Sequence, residues 1–419
     1  MTDQPIEIIA AAVFAVALLH TFSAPLFLRL AHRNKRHEGL LHLLGEVEVV
    51  FGFWAAVLLL LMAFAASGEA ALGYAESRNY TEPAFVFVVM VIAASLPVLT
   101  AVMRLVDRLA RWLPTADRTA KAWLCLALVP LAGSLITEPA AMTIAAMMLA
   151  PQVFHRGMPE RLKYLALGVL FVNISIGGTL TSYAAPPVLM VAATWGWDSA
   201  FMLKTFGWKA ALAVLVNATA VTWLLRPHLQ DGDVLTVGGN AKPMSSTVIT
   251  VHLLFLAAIV LFAHHPILFL GLFLFFLGYT QAYKAHQSRL IIKEALLVGF
   301  FLAGLVVLGG MQQWWLQPIV SALEPRVLFF GALALTAVTD NAALTYLGSL
   351  IDGISAQAQY MLVAGAVAGG GLTVIANAPN PAGVALLRGG FSNGAVSMPA
   401  LLAGALAPTA VAASLLFLL

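Results

Sequence analysis

The chain has 419 residues, of which 61% are hydrophobic and only 10% are charged. A soluble domain carries roughly 25% charged residues, so this composition excludes an ordinary soluble protein. The formal net charge of +3 gives no sign of a nucleic-acid partner, and the single cysteine, Cys125, excludes an intramolecular disulfide. Runs of about 20 apolar residues, each long enough to cross a bilayer as a helix, recur along the chain. The composition therefore predicts an all-α polytopic membrane protein.

The first three predicted spans alternate in direction, because Lys and Arg concentrate on cytoplasmic loops. Basic residues follow the first span, a mainly acidic loop follows the second, and a basic cluster between 104 and 121 follows the third. This pattern puts the N-terminus outside. No basic region precedes the first span, which indicates a spanning helix and not a cleaved signal peptide. The three spans are 6–30, about 41–66 and about 84–103.

The apolar stretch 122–152 breaks the alternation, since basic residues flank it on both sides. A single crossing would put the second basic loop outside, against the rule. Two crossings do not fit, because about 30 residues at 1.5 Å each cannot span the hydrocarbon twice. We therefore predict a re-entrant hairpin that enters from the cytoplasm and turns at Ile136-Thr137-Glu138-Pro139. Non-helical backbone at this depth is tolerated only against protein or a water-filled cavity.

The second half follows the same order from the other face. A polar stretch, 226–247, is predicted to be a cytoplasmic linker between a first repeat, 1–225, and a second repeat, 248–419. A second hairpin at about 327–352 has no basic cluster beside it and is expected to enter from outside, with its tip at Thr339-Asp340-Asn341. The total is about ten transmembrane helices and two hairpins, with both termini outside. The further spans of the second half begin with 248–263, 266–282 and 295–311.

Two apolar stretches contain matching interruptions. "GGTLTSYAAPP", from Gly177 to Pro187, and "GGGLTVIANAP", from Gly369 to Pro379, agree at six of eleven positions with an offset of 192. Glycine pairs and proline do not sustain a regular helix, so each stretch is predicted to be a broken helix. The opposite orientations of the copies indicate an inverted repeat, whose interrupted segments point to a transporter's binding site. The alternative is that the glycines serve close helix packing.

These segments resemble the ion transporter superfamily, which includes divalent anion/sodium symporters, arsenite permeases and NhaD-like sodium/proton antiporters. "TDNAALT", from Thr339 to Thr345, is similar to the Asp-Asn hairpin motif of the antiporter branch. "GGTLTSYAAPP" is similar to the family's Gly-Gly-x-x-Thr-x-x-Gly-x-Pro-Pro loop, with Ala184 in place of the last glycine. The sequence looks most like the sodium/proton antiporter family. The resemblance implies elevator-like transport, in which hairpins and broken helices slide against a scaffold.

The two hairpin tips and two broken helices are expected to meet near the membrane midplane. Their hydroxyl, amide and carbonyl oxygens are ligands that sodium prefers, and two carboxylates without Lys or Arg in the interrupted segments favour a cation over a dicarboxylate. A central carboxylate costs roughly 2.5–3.5 kcal/mol, so function is its default interpretation. Burial also raises the pKa of a carboxyl group, as proton exchange requires. The predicted ion-binding residues are Thr137, Glu138, Thr181, Thr339, Asp340, Asn341, Thr373, Asn377 and Asn380.

Proton coupling is assigned to Glu138 and Asp340, with Glu46 as a further candidate. The alternative for the two hairpin acids is that they cap the returning helices. Glu46 lies four residues after His42, so the two could share one helical face as a proton relay or metal site. An interfacial pair that holds the basic loop is the other interpretation. Elsewhere no metal site is predicted.

The sequence therefore predicts a sodium or other small-cation/proton antiporter in a bacterial inner membrane. A sodium-coupled anion carrier on the same scaffold and a channel-like permease or membrane-embedded enzyme remain as alternatives. No nucleotide loop, nucleophile–base set or cysteine cluster supports an enzyme. No cofactor is expected besides the transported sodium ion and protons. The expected partners are these ions, membrane lipid and, as an open option, a second copy of the chain as a homodimer.

Overall fold

The computed structural model describes residues 4–229, 244–392 and 394–419. Within these ranges the regular structure is helical and there is no β-strand. Helices satisfy every backbone polar group internally, as the hydrocarbon region demands. The prediction of an all-helical polytopic membrane protein is confirmed. Most of the predicted linker, 226–247, lies outside the described residues.

The α-helices of the described ranges are, in chain order, α1 (Gln4–Arg33), α2 (Glu38–Leu44), α3 (Val47–Ala65), α4 (Gly68–Glu76), α5 (Thr81–Ala93), α6 (Leu96–Ala110), α7 (Asp117–Leu126), α8 (Leu128–Ile136), α9 (Glu138–Val153), α10 (Glu160–Gly177), α11 (Pro186–Trp195), α12 (Ser199–Met202), α13 (Trp208–Leu225), α14 (Ser246–Leu261), α15 (Pro266–Ala282), α16 (Ile292–Gly309), α17 (Gln313–Ser321), α18 (Pro325–Thr336), α19 (Asn341–Ser349), α20 (Ala356–Gly369), α21 (Asn380–Leu387) and α22 (Met398–Leu418).

By length and composition, six described helical segments could cross a membrane, or eight if each of two bent pairs forms one span. The bent pairs are α5 with α6, bent by 63°, and α7 with α8, bent by 43°. The predicted spans 248–263 and 266–282 correspond to α14 and α15, which have 16 and 17 residues. The predicted count of ten thus includes segments that are shorter than a straight 18-residue crossing.

The chain forms two compact units, and each combines segments that are distant in sequence. Unit 1 comprises Met1–Phe87, Ile292–Leu323 and Tyr346–Ile354, and unit 2 comprises the rest of the chain. In unit 1, α3 packs directly on α16. A Cβ atom on Gly304 would meet the backbone of Phe51 and Gly52, so these helices approach at backbone distance. The Tyr74 hydroxyl adds a hydrogen bond to the carbonyl of Val307 at 2.5 Å.

Helix α10 is the centre of unit 2. In an apolar 18-residue stretch of Glu160–Leu180, 83% of residues are buried, against 33% in an 18-residue stretch of α22. Helices α8, α9, α13, α20 and α22 all pack against α10. A Cβ atom on Gly168 would meet the backbone of Gly404, so α10 and α22 are in close contact.

Two buried asparagines join four helices around α10. The Asn217 Nδ2 donates to Asn173 Oδ1 at 3.0 Å and to the Pro408 carbonyl at 3.2 Å. The Asn173 Nδ2 in turn donates to the Leu126 carbonyl at 2.8 Å. These bonds connect α7, α10, α13 and α22. Interhelical amide bonds of this kind fix the relative positions of membrane helices, and here they hold the frame on which the interrupted segments lie.

Candidate functional site

The first hairpin turns at a single residue between α8 and α9. Thr137 has φ 83° and ψ 150°, and it is the one non-glycine residue with positive φ in the described ranges. A β-branched residue rarely adopts this conformation, so the surrounding structure must hold the tip. Because Pro139 suits the first turn of a helix, α9 starts immediately at Glu138. The turn thereby places the Glu138 side chain inside unit 2 and not in solvent.

Glu138 is completely buried. Its Oε2 accepts a hydrogen bond from Asn377 Nδ2 at 2.8 Å, while its Oε1 has no hydrogen-bond partner among the described residues. A Cβ atom on Gly178 would lie 2.5 Å from Oε1, so the first glycine pair leaves room for the carboxyl group. The salt bridges within the described ranges do not include Glu138. Among the described residues, only the Asn377 amide therefore stabilises a negative charge on Glu138, and a bound cation or a proton would have to neutralise that charge.

Asp340 occupies the tip of the second hairpin but is held differently. Its Oδ1 accepts hydrogen bonds from the backbone amides of Ala342 at 2.8 Å and Ala343 at 3.3 Å, which is the geometry of a helix N-cap. The side chain is partly exposed, as is neighbouring Thr339. Asp340 thus makes the contacts of a helix cap, whereas the Glu138 carboxyl group bonds to Asn377 in a distant segment.

Three buried asparagines bring amide oxygens into the same region. Asn380 Nδ2 donates to the carbonyls of Gly370 at 2.8 Å and Thr373 at 2.9 Å, and a Cβ atom on Gly370 would lie 2.9 Å from Asn341 Nδ2. The backbone amide of Asn380 also donates to the carbonyl of Asn377. The Oδ1 atoms of Asn341, Asn377 and Asn380, like the Thr137 hydroxyl, lack a partner in the described part of the chain. Hydrogen bonds thus connect Glu138 through Asn377 and Asn380 to Gly370, and Asn341 lies beside Gly370.

The hydroxyl groups of Thr181 and Thr373 each donate a hydrogen bond that holds an unwound loop in place, whether or not they also contact an ion. The Thr181 hydroxyl donates to the Ser134 carbonyl at 2.7 Å, and the Thr373 hydroxyl donates to the Ala337 carbonyl at 2.8 Å. Each bond fastens an unwound loop to the first arm of its own hairpin. Since a helix leaves its last carbonyls without internal partners, these threonines satisfy them while keeping hydroxyl lone pairs available.

Two serines that the sequence analysis did not single out connect the same parts. Ser134 Oγ donates to the Gly177 carbonyl at 2.7 Å and accepts from the Leu180 amide at 2.9 Å. Ser175 Oγ donates to the Val367 carbonyl at 2.8 Å. Ser175 and Val367 are equivalent positions at the 192-residue offset, so this bond joins the two copies of the matched segment. The sequence does contain a signal for both serines, because Ser134 lies three residues before the first hairpin tip and Ser175 lies two residues before the first glycine pair.

Glu46 and His42 belong to unit 1 and have separate acid–base partners there. Glu46 Oε1 lies 3.5 Å from Lys293 Nζ, and His42 Nε2 lies 3.8 Å from Glu38 Oε1. No group of three or more His, Cys, Asp or Glu side chains in the described ranges could hold a metal ion. Glu46 and His42 thus have different ion-pair partners. Proton coupling by Glu46 stays a prediction.

Comparison with known proteins gives a matching family and similar solved structures. Residues 5–419 match the family described as "Putative Na+/H+ antiporter". A solved structure, the Alcanivorax borkumensis YdaH transporter, is similar with a TM-score of 0.48 and 14% sequence identity. The similarity covers 88% of this chain and 96% of that chain. No curated protein matches the chain.

Proposed function

The chain belongs to the "Putative Na+/H+ antiporter" family and is a membrane transporter, and we propose that it exchanges a small cation, sodium in the first instance, for protons. The observation that carries the proposal is the Glu138 carboxyl group. It is completely buried, its one hydrogen-bond donor in the described residues is an uncharged amide, and its second oxygen has no partner there. A carboxylate in such a place requires a positive partner, and sodium or a proton can supply it.

The oxygens around Glu138 are of the type that coordinates sodium. Thr137, Asn341, Asn377 and Asn380 each have a buried side-chain oxygen without a partner in the described ranges. Neutral oxygens replace waters of the ion's shell without adding charge, so Glu138 and Asp340 set the charge of the site. We propose that sodium and proton compete for Glu138, with Asp340 contributing a second, more accessible negative charge.

The anion-carrier alternative is less compatible with the second hairpin. Helix N-termini attract anions, but the first amides of α19 already donate to Asp340. The buried basic side chains of the described ranges also have other partners. Lys163 contacts Glu160 and the Gly390 carbonyl, and Lys209 contacts the Tyr360 hydroxyl. Neither of these two buried lysines is therefore available to bind an anionic substrate.

Alternating access is proposed to be elevator-like, with the first hairpin, the first arm and tip of the second hairpin and the broken helices, all of which belong to unit 2, moving together. Thr181, Thr373 and Ser134 join each hairpin to its broken helix, which supports movement as one body. The location is proposed to be a bacterial inner membrane with both termini outside.

The test uses everted vesicles that contain the protein and a pH-sensitive dye. After a proton gradient forms, sodium, lithium, potassium or calcium is added, and antiport is recorded as cation-dependent dye recovery. Recovery with sodium, absent in Glu138→Gln, is the expected result. Uptake of an anionic solute without cation-driven proton movement would instead support the carrier alternative, and absence of both would reject the proposal.

A further inference from the structure

A surface groove of unit 2 lies where the start of α7 meets the end of α13. One part has a volume of about 560 Å³ and is lined by Arg118, Thr119, Trp223 and Arg226 among others. A second part, of about 260 Å³, shares Thr119, Trp223 and Arg226 with the first. The two parts therefore form one continuous groove, which we name the α7–α13 groove.

The two parts of the α7–α13 groove differ in chemistry. Arg118 lines only the first part and Arg226 lines both, whereas Leu113, Ala120 and Trp123 line only the second part. The groove thus has a basic mouth and an apolar trough. An amphipathic molecule with a negative head and a hydrocarbon tail has the complementary arrangement.

The positive charge at the mouth is not neutralised within the described ranges. The nearby Lys121 is paired, at 3.2 Å from Asp107 and 2.9 Å from Asp117. The salt bridges of those ranges include neither Arg118 nor Arg226. Among the described residues, Arg118 and Arg226 therefore remain available for an anionic group, while Asp107 and Asp117 are paired with Lys121.

Two further observations bear on the ligand of the groove. Threonine hydroxyls that are unpaired in the described ranges indicate a bound group that forms hydrogen bonds, and an exposed tryptophan indicates that the groove lies at the membrane surface. Thr222 lines the trough and is only 4% exposed, yet its hydroxyl has no hydrogen-bond partner in the described ranges. The Thr119 hydroxyl, where mouth and trough meet, likewise has none. Trp223 is 72% exposed, which is typical of indole side chains at the level of lipid headgroups.

From this arrangement we propose that the α7–α13 groove binds an anionic phospholipid. Arg118 and Arg226 contact the phosphate-containing headgroup, the threonine hydroxyls bond the ester region, and an acyl chain lies in the trough along Trp123 and Trp223. Basic pockets between membrane helices on the cytoplasmic side bind anionic headgroups in this way. The sequence predicts that this end of α7 and α13 is cytoplasmic. The site is separate from the proposed cation site and does not depend on it.

The test measures lipid binding to the purified, delipidated full-length protein by native mass spectrometry. Phosphatidylglycerol and phosphatidylcholine of identical acyl chains are titrated, with inorganic phosphate as a competitor. At about fivefold for each basic residue near a charged headgroup, the wild type should prefer phosphatidylglycerol by about 30-fold. The combined substitutions Arg118→Gln and Arg226→Gln should abolish this preference. Arg108→Gln, which removes an exposed arginine outside the groove, is the matched control and should keep it.

Trp223→Ala separates the tail from the headgroup, since it should weaken binding of both lipids and leave their ratio unchanged. Equal binding of the two lipids to the wild type would overturn the proposal, as would a preference that survives loss of both arginines. Displacement of phosphatidylglycerol by inorganic phosphate, with no contribution from the acyl chain, would identify a free-anion site and also reject it.

Discussion

Glu138 and Asp340 occupy equivalent places in the two hairpins, yet their carboxyl groups have different environments. The shorter Asp340 side chain reaches back to the amides of its own helix, whereas Glu138 extends to Asn377, 239 residues away in the chain. The sequence identified both acids because charge is costly at these positions. It could not identify the pairing, because a contact between a hairpin tip and a distant unwound loop follows from tertiary packing and not from local pattern.

Replacing each hairpin acid by its amide should separate their roles. Gln at 138 keeps a carbonyl for the Asn377 amide, so Glu138→Gln should fold normally but reduce cation-driven proton movement to the level of empty vesicles. Asn at 340 retains capping ability, so Asp340→Asn should fold normally and show partial activity. The measurement is dye recovery in everted vesicles together with the melting temperature. Glu324→Gln, which neutralises an exposed acid of unit 2, is the control. Wild-type activity in Glu138→Gln would remove this residue from the site.

Asn377 is expected to act through Glu138. A hydrogen bond to a charged group contributes about 1.5–3 kcal/mol, so Asn377→Ala should raise the sodium concentration for half-maximal exchange about ten- to hundredfold. The control is Asn217→Ala, which also removes a buried amide from unit 2 but one that bridges α10, α13 and α22. That variant should lose thermal stability and keep its sodium dependence. If Asn377→Ala shows the same behaviour as Asn217→Ala, Asn377 has only a structural role.

At the scale of elements, glycines and prolines marked the interruptions and the bend alike. Glycine pairs and prolines marked both broken helices, because neither residue type supports a helix interior. The 43° bend between α7 and α8 falls at Ala127, because Pro130 has no amide hydrogen to donate to the Leu126 carbonyl, which accepts from Asn173 instead. The close approaches explain why glycine is needed: a Cβ atom on Gly177 would meet the Pro130 backbone at 2.6 Å, and one on Gly369 would meet the Leu333 carbonyl at 2.6 Å. Both glycines therefore serve packing and chain interruption together.

Neighbouring glycines of the first pair should give different phenotypes when replaced by alanine. The added Cβ of Gly177→Ala meets rigid backbone, so the helix must shift, and overpacking of this kind costs about 1–3 kcal/mol. The added Cβ of Gly178→Ala meets the end of the Glu138 side chain, which can move. We expect Gly177→Ala to lower the melting temperature and Gly178→Ala to lower transport with a smaller loss of stability.

Gly389→Ala is the control for both substitutions, since a Cβ atom there has nothing within 4 Å. Melting temperature and sodium-dependent dye recovery are measured on the same preparations. Equal loss of stability with unchanged transport in Gly178→Ala would show that this glycine does not serve the carboxyl group.

At the scale of the whole molecule, the sequence repeats and the compact units divide the chain differently. The repeats were predicted as 1–225 and 248–419, whereas each compact unit takes segments from both. The physical reason is that equivalent elements of the two repeats pack on one another. In unit 2, the contact between Ser175 and Val367 joins equivalent positions. Sequence comparison detects the duplication, but only packing decides which copies of an element associate.

The inverted orientation of the two hairpins gives a prediction about accessibility. In the predicted topology, Arg156 follows the first hairpin on the cytoplasmic side and Arg326 precedes the second hairpin on the outside. Both residues are exposed and belong to unit 2. Cys125 is buried, and Cys125→Ala gives a cysteine-free background. In that background, Arg326→Cys should react with a membrane-impermeant thiol reagent in intact cells. Arg156→Cys should react only in everted vesicles, and the cysteine-free protein, as control, should react in neither. In an inverted repeat the two hairpins enter the membrane from opposite sides. Labelling of both positions from the same side would therefore exclude the inverted repeat. It would also exclude the cytoplasmic and external openings that elevator-like exchange requires.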